Sequence, residues 1–320
     1  MSKNKFFRTL TFLTITTIII SGASAQKLKD EKDKQKVRPV TIPISIYTKQ
    51  EIKEGQPEEF IQADRIVVKE DKEEQEILSI RSNTSTPLSL AVLIQDDLST
   101  NFNLQIKDLA GFIRNLPKGS RVMVAYLRSG SLQVRQKFTE DLDKAAKALR
   151  IVSGSNATAP RDPYDGLIDA LNRFDALPLG RRSVLMVSDG VDVSQGILSS
   201  SPTLSLDLDR AILRAQRKSV AVYAFYSPTS LTENGNTSLA LNGQGSLQKL
   251  SEETGGRSFF SGLSSPISFD PFFKEINMLL NRQFALTYLS THMKKGYHKL
   301  DVSSTNPQVR IEHPKGYYYR

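Results

Sequence analysis

Leu88 to Ile94 is an almost unbroken apolar run, which suits a strand covered on both faces. Val184-Leu185-Met186-Val187 and Val220 to Tyr226 repeat that pattern. Between such runs, apolar residues recur at helical spacing. Ile106, Leu109, Ala110, Ile113 and Leu116 predict one helix, stopped by Pro117-Lys118-Gly119. Leu142 to Leu149, Tyr164 to Phe174, Leu208 to Ala215 and Phe272 to Leu280 predict four more. Val122 to Leu127, Leu132 to Phe138 and Arg257 to Phe260 read as further strands. Residues 227–245 are rich in Ser, Asn and Gly and read as a mobile loop, followed by a helix over Leu247 to Thr254.

Strands alternating with helices predict βαβ units. The expected fold is therefore α/β, a doubly wound and mostly parallel sheet over residues 87–282. The flanks differ. In the segment 40–86, Ile42, Ile44 and Ile46 alternate, and Gly55-Gln56-Pro57 marks a turn. Ile66-Val67-Val68 and Ile77 to Ile80 enclose the charged stretch 70–76, as in a hairpin. In the segment 283–320, Phe284 to Leu289, His298 to Val302 and Val309 to Ile311 return to strand character. Each flank has too few strands to stand alone, so the two are expected to join in one small β unit.

The chain begins with a secretory signal pattern in residues 1–25. Lys3, Lys5 and Arg8 precede an apolar stretch from Leu10 to Ile20, and Ala23-Ser24-Ala25 offers a small-x-small cleavage site. The apolar run is shorter than the roughly 20 residues of a membrane span. No membrane span is expected after cleavage, and the protein is expected to be periplasmic or secreted. Losing three cations lowers the net charge from +9 to +6. Residues 26–39 mix bases and acids with almost nothing apolar, which predicts a solvated, disordered tether rather than a nucleic-acid site. The chain has no cysteine, which excludes disulfides, thiolate metal sites and thiol nucleophiles. His292, His298 and His313, its three histidines, all fall in the predicted β tail. A histidine-assisted serine hydrolase is thereby disfavoured. His298 is expected to pack against Tyr317.

In an open α/β sheet, ligands gather beyond the carboxyl ends of the strands. Two loops there carry oxygen ligands. One is Gln95-Asp96-Asp97-Leu98-Ser99-Thr100-Asn101, and the other is Ser188-Asp189-Gly190-Val191-Asp192. Asp97, Ser99 and Asn101 follow a two-residue period, so an extended loop turns all three to one side. With Asp189 they form an all-oxygen set of the kind magnesium prefers. The competing reading makes Asp97 and Ser99 caps of the next helix.

These residues resemble the von Willebrand factor type A family, and more narrowly the related proteins of Acidobacteria. Asp97-Leu98-Ser99-Thr100-Asn101 matches the family's D-x-S-x-S loop as D-x-S-x-N. Asp189-Gly190 within LMVSDGVD matches its later aspartate. RDPYDGLIDAL (161–171), LQKLSEETGGRSFF (247–260), YHKLDV (297–302) and KGYYY (315–319) extend the likeness over most of the mature chain. The resemblance implies a protein-binding module with a metal-ion-dependent adhesion site. Its Mg2+ ligands would be Asp97, Ser99, Asn101 and Asp189. The family's threonine aligns with Arg161, and Thr158 is the nearby hydroxyl that substitutes for it. A guanidinium repels a cation, so the site is degenerate and Mg2+ is optional. Asp96, Arg161 and Asp192 are expected on the same ligand face.

The leading expectation is a non-enzymatic module that binds a protein partner outside the cytoplasm. A structural or chaperone-like domain without metal is the alternative. A phosphatase using Asp96 or Asp97 is disfavoured, because Leu98 and Ser99 stand where a second acid is needed. The oligomeric state has no signature in the sequence.

Overall fold

The computed structural model describes residues 36–48, 66–82, 86–154, 162–233, 236–264 and 266–319. The signal, most of the tether, the turn at 55–57, Thr158 and Arg161 lie outside the described residues. In chain order, three strands come first: β1 (Arg38–Thr48), β2 (Ile66–Glu70) and β3 (Glu73–Arg81). The middle strands are β4 (Ser89–Gln95), β5 (Arg121–Arg128), β6 (Ser131–Thr139), β7 (Arg182–Ser188), β8 (Ala221–Tyr226) and β9 (Ser258–Phe259). The last are β10 (Gln283–Ser290), β11 (Gly296–Ser304), β12 (Val309–Glu312) and β13 (Gly316–Tyr319). The helices are α1 (Ile106–Arg114), α2 (Leu142–Lys147), α3 (Pro163–Asn172), α4 (Leu206–Lys218), the single turn α5 (Ser230–Glu233), α6 (Thr237–Thr254) and α7 (Asp270–Asn281).

The chain is an α/β protein with two sheets. The middle strands form a six-stranded sheet in the order β6-β5-β4-β7-β8-β9. Neighbours pair in parallel except β6, which returns antiparallel to β5 through a hairpin. Strand β4 explains the unbroken apolar run. Leu90, Val92 and Ile94 pack with Leu109, Ile113, Phe273 and Ile276 of α1 and α7 on one face. Ala91 and Leu93 pack with Leu167, Leu208, Ala211 and Leu247 of α3, α4 and α6 on the other. Both faces are buried, so alternation would be out of place.

The remaining strands form a second sheet in the order β12-β1-β10-β3-β2-β11-β13, antiparallel wherever strands pair. This corrects two expectations. The flanking unit is not small, since its seven strands outnumber those of the parallel sheet. The protein as a whole is therefore not dominated by parallel pairing. The charged stretch 70–76 falls in the β2–β3 hairpin, as expected. It lies largely within β2 and β3, and the turn is only Asp71-Lys72, both at positive φ (50° and 76°). A two-residue connection of that hand matches the twist of the strands it joins.

One polar contact ties the sheets together, and another pins the segments that lead from one to the other. Buried Ser45 of β1 meets the Tyr223 hydroxyl of β8 at 3.1 Å. Arg181, fully buried just before β7, donates to the carbonyls of Thr86 (3.2 Å) and of Leu280 in the last turn of α7. A cation at a helix carboxyl end is favourably placed.

The expected mobile loop at 227–245 is also corrected. Asn236 caps α6 by accepting from the Leu239 N–H at 3.2 Å, and the helix then runs unbroken to Thr254. Leu239, Ala240, Gly243, Gln244 and Leu247 are buried at helical spacing. The small residues that read as a loop are there because the helix backbone passes close to the loop after β7. A Cβ on Gly243 would collide with the Asp189 carbonyl.

Candidate functional site

The order of the six-stranded sheet reverses at β4 and β7. From β4 the chain moves out to β5, and later returns through β7 on the other side. The loops leaving these two strands therefore face each other at the switch point. They are the two loops with oxygen ligands.

Gln95, the last residue of β4, joins them. Its amide nitrogen donates to Asp97 Oδ1 at 2.9 Å. Its carbonyl oxygen accepts from the Ser188 hydroxyl at 2.5 Å and from the Asp189 backbone N–H at 3.1 Å. A third loop closes the ring. Leu98 pairs with Thr229 in an isolated antiparallel bridge, and the Ser99 N–H donates to the Pro228 carbonyl at 2.9 Å. The Thr229 hydroxyl donates to Asp189 Oδ2 at 2.7 Å, while the Val191 N–H donates to Oδ1 at 3.0 Å. Asp97, Ser99 and Asp189 thus share one braced platform. Asp189 is buried, and Asp97 and Ser99 are half-exposed.

Ser99 stands at the start of a 3₁₀ turn, Thr100–Gln105, yet its side chain caps nothing. The capping role considered for it from sequence is not the one it fills. Asn101 lies one residue into that turn, exposed.

Asp96 faces different company. Its carboxylate pairs with Arg150 at 2.7 Å, with Arg128 at 4.0 Å. Arg150 lies over the Tyr126 ring at 4.1 Å, and its backbone N–H and carbonyl both bond the Tyr126 hydroxyl. The hydrogen bond to Asp96 raises the Arg150 pKa further above its ordinary value, against the opposing effect of burial. Asp96 is therefore a structural anchor for the segment after α2.

Asp192 is drawn into a separate hub. Asp192, Asp162 and Asp207 are buried and bring carboxylate oxygens within 4.8 Å of one another. Asp192 accepts from the Ser194 N–H (3.0 Å), the Ser194 hydroxyl (2.7 Å) and the Ser205 hydroxyl (3.0 Å). Asp162 caps α3 by accepting from the N–H groups of Tyr164 (2.8 Å) and Asp165 (3.3 Å). Arg210 holds Asp207 at 2.5 Å. These donors occupy the trio, which joins the starts of α3 and α4 to the β7 loop. Burial above all raises the Asp162 pKa, to about 7; Asp165 and Asp192 add to the rise, and its two N–H bonds oppose it.

Glycines let the loop sit this low. Gly190 adopts φ +70°, and a Cβ there would strike the Gly243 carbonyl. The buried Tyr164 hydroxyl donates to the Gly190 carbonyl at 2.7 Å, and burial raises its pKa far above the usual phenol range, so it stays a donor.

Gln95, Thr229, Asp162 and Asp207 were not singled out from sequence. Asp162 had a usable signal, an Asp-Pro pair opening an apolar-periodic helix. Gln95 and Thr229 had none for their links to the β7 loop, which cross about ninety and forty residues.

No known family profile matches the chain, and no curated protein matches it. Several solved structures overlap it in part. An aerotolerance-related membrane protein from Bacteroides fragilis is 12% identical, with a TM-score of 0.44 over 61% of this chain and 99% of that one. BatB from Bacteroides thetaiotaomicron is 11% identical, also at 0.44, over 61% and 98%. A von Willebrand factor type A protein from Catenulispora acidiphila is 11% identical, at 0.40, over 82% and 76%. None of these bears on the narrower likeness to acidobacterial proteins. The overlaps are partial, and the reading of function below rests on the residues of this chain.

Proposed function

We propose that this chain is a protein-interaction module that works outside the cytoplasm and docks its partner on the carboxyl-end face of the six-stranded sheet, around Asp97, Ser99 and Asp189. The observation that carries the reading is the Gln95 brace. One buried amide joins the two switch-point loops, so the face is pre-organised before any partner arrives. Thr229 secures Asp189 from the third loop. Ser99, with its hydroxyl spent on no cap, and exposed Asn101 remain on the rim. The histidines sit in the antiparallel sheet or beside it, away from this platform, which favours binding over catalysis.

Asp97, Ser99, Asp189 and Thr229 make an oxygen-only donor set that fits a hard cation, and these residues would hold Mg2+ if it bound. Both Asp189 oxygens already accept hydrogen bonds from the protein, so the platform keeps its shape without an ion. We read Mg2+ as dispensable for docking.

The test is site-specific photo-crosslinking in the native host. A crosslinking residue at Asn101 should trap a defined protein. The same residue at Leu179, exposed at the opposite end of the sheet, should not. Equal trapping from both positions, or from Leu179 alone, would remove the docking face from Asp97.

A further inference from the structure

Glu70 is the last residue of β2, and its side chain is fully buried. One carboxylate oxygen, Oε1, accepts from the Tyr317 hydroxyl at 2.7 Å and the Ser290 hydroxyl at 3.0 Å. The other, Oε2, is buried without a hydrogen-bond partner. A carboxylate oxygen kept from water with no donor is costly. Two imidazoles stand beside this carboxylate. Nδ1 of His292 and Nδ1 of His298 each lie 3.5 Å from Glu70 Oε1. His292 Nδ1 is itself buried without a hydrogen-bond partner.

The far side of each ring meets an acceptor. His298 Nε2 bonds the Lys294 carbonyl at 2.7 Å, and its ring stacks on Tyr317. His292 Nε2 faces the Glu73 carboxylate at 3.5 Å. A carbonyl or carboxylate behind one ring nitrogen orients the other toward a metal. The spacings agree with that reading. Donor atoms about 2.0–2.1 Å from one tetrahedral ion lie about 3.4 Å apart, against the 3.5 Å from Glu70 to each ring. Two imidazoles on one such ion have ring centres about 5 Å apart, against 5.6 Å between His292 and His298. A small turn of the His292 ring, which is 21% exposed and loosely held, closes the difference.

We infer that Glu70, His292 and His298 form a zinc site. The carboxylate and the two Nδ1 atoms supply three ligands. Asp71 Oδ2, 2.8 Å from His298 Nδ1, supplies the fourth, and the ion takes the place of the proton those two atoms share. Imidazole nitrogens with carboxylate oxygens suit zinc, whereas magnesium and calcium take oxygen alone. Arg38 reaches the same cluster but spends its donors on the Tyr317 hydroxyl and the His292 carbonyl. The ligands come from opposite ends of the chain. Glu70 and Asp71 belong to the β2–β3 hairpin, His292 to the connection after β10, and His298, 227 residues beyond Asp71, to β11. In a chain without cysteine, the ion cross-links distant segments of the antiparallel sheet as a disulfide would. The site lies on the other sheet from Asp97 and is independent of the docking reading.

The experiment uses the full mature chain, stripped with a chelator and titrated with zinc chloride in a calorimeter. One zinc per chain should bind with a Kd of about a micromolar or tighter. At a hundredfold excess over Kd, Tm should rise by about 5–11 °C. Nuclear magnetic resonance of the imidazole nitrogens should show the Nδ1 signals of His292 and His298 moving, with those of His313 unchanged. His292→Asn should weaken zinc binding by about a hundredfold. Glu70→Gln, which keeps the shape of the buried side chain, should weaken it by about tenfold or more. Neither variant should show the rise in Tm, and either one decides the matter if the other fails to fold. No zinc binding at micromolar concentration would overturn the proposal, as would binding undiminished in a folded variant. Zinc binding with neither His292 nor His298 moving would place the ion elsewhere and overturn it too. Failure of the Asn101 crosslink would bear on the docking reading alone.

Discussion

Gln95→Met keeps the volume of the side chain and removes three hydrogen bonds at once. The Asp189 N–H is buried, and leaving it without the Gln95 acceptor costs about 1–3 kcal/mol. The Ser188 hydroxyl can turn to another acceptor, and half-exposed Asp97 regains water, so together they add about 1 kcal/mol. The expected total is about 2–4 kcal/mol. For a domain of this size each kcal/mol moves Tm by roughly 2–4 °C, which gives a fall of about 4–16 °C. Calorimetry measures the fall. Hydrogen exchange locates it, with the Asp189 and Val191 amides losing protection before the strand centres do. A companion, Gln95→Glu, keeps the acceptor but puts a carboxylate where Asp97 had a donor, and should be worse above the carboxylate range than below it. If the Met variant stays within about 0.5 kcal/mol of the parent and those amides exchange unchanged, Gln95 is not a brace and the platform is held by something else.

Arg181→Lys should destabilise by about 2–4 kcal/mol, because it buries the same charge on a group that cannot span the Thr86 and Leu280 carbonyls. Burial already lowers the Arg181 pKa to about 10, so Arg181→Met should cost less than the lysine change in the same denaturant titration. Gly243→Ala should cost about 1–3 kcal/mol, the gain in helix propensity being outweighed by collision with the Asp189 carbonyl; a stabilised alanine variant would mean that α6 can move off the loop freely. Asp162 binds its proton more tightly folded than unfolded, so its contribution to stability should decline as pH rises from about 4, the unfolded carboxyl range, to the folded value of about 7. Urea titrations across that range should show a slope that Asp162→Asn flattens, and an unchanged slope would place the proton elsewhere.

How much of this was legible beforehand follows from how local each signal is. The apolar runs of β4 and β7 name buried strands because every residue of each is covered. The acidic loops after them were legible for the same reason, since a strand end and a run of polar oxygens are adjacent in sequence. Helix α6 was not, because its glycines and serines record close packing against a loop some fifty residues earlier, a fact that composition cannot carry. Glu70 is the clearest case. Read alone it belongs to a charged turn. In the structure it is fully buried in β2, accepting from the Tyr317 hydroxyl at 2.7 Å and the Ser290 hydroxyl at 3.0 Å, donors more than 200 residues away. His298 is the converse. Its strand alternation placed it against Tyr317, and the two rings stack at 5.3 Å across β11 and β13.

The central claim is that a partner docks at the Asp97 face without needing a metal. Its most direct test is affinity capture by the mature protein from its own envelope fraction, run with and without a chelator and repeated with Asp97→Ala. The account predicts one protein captured in stoichiometric amount, retained when divalent ions are removed, and lost with the substitution. Capture that survives Asp97→Ala, or that vanishes with the chelator alone, would contradict it.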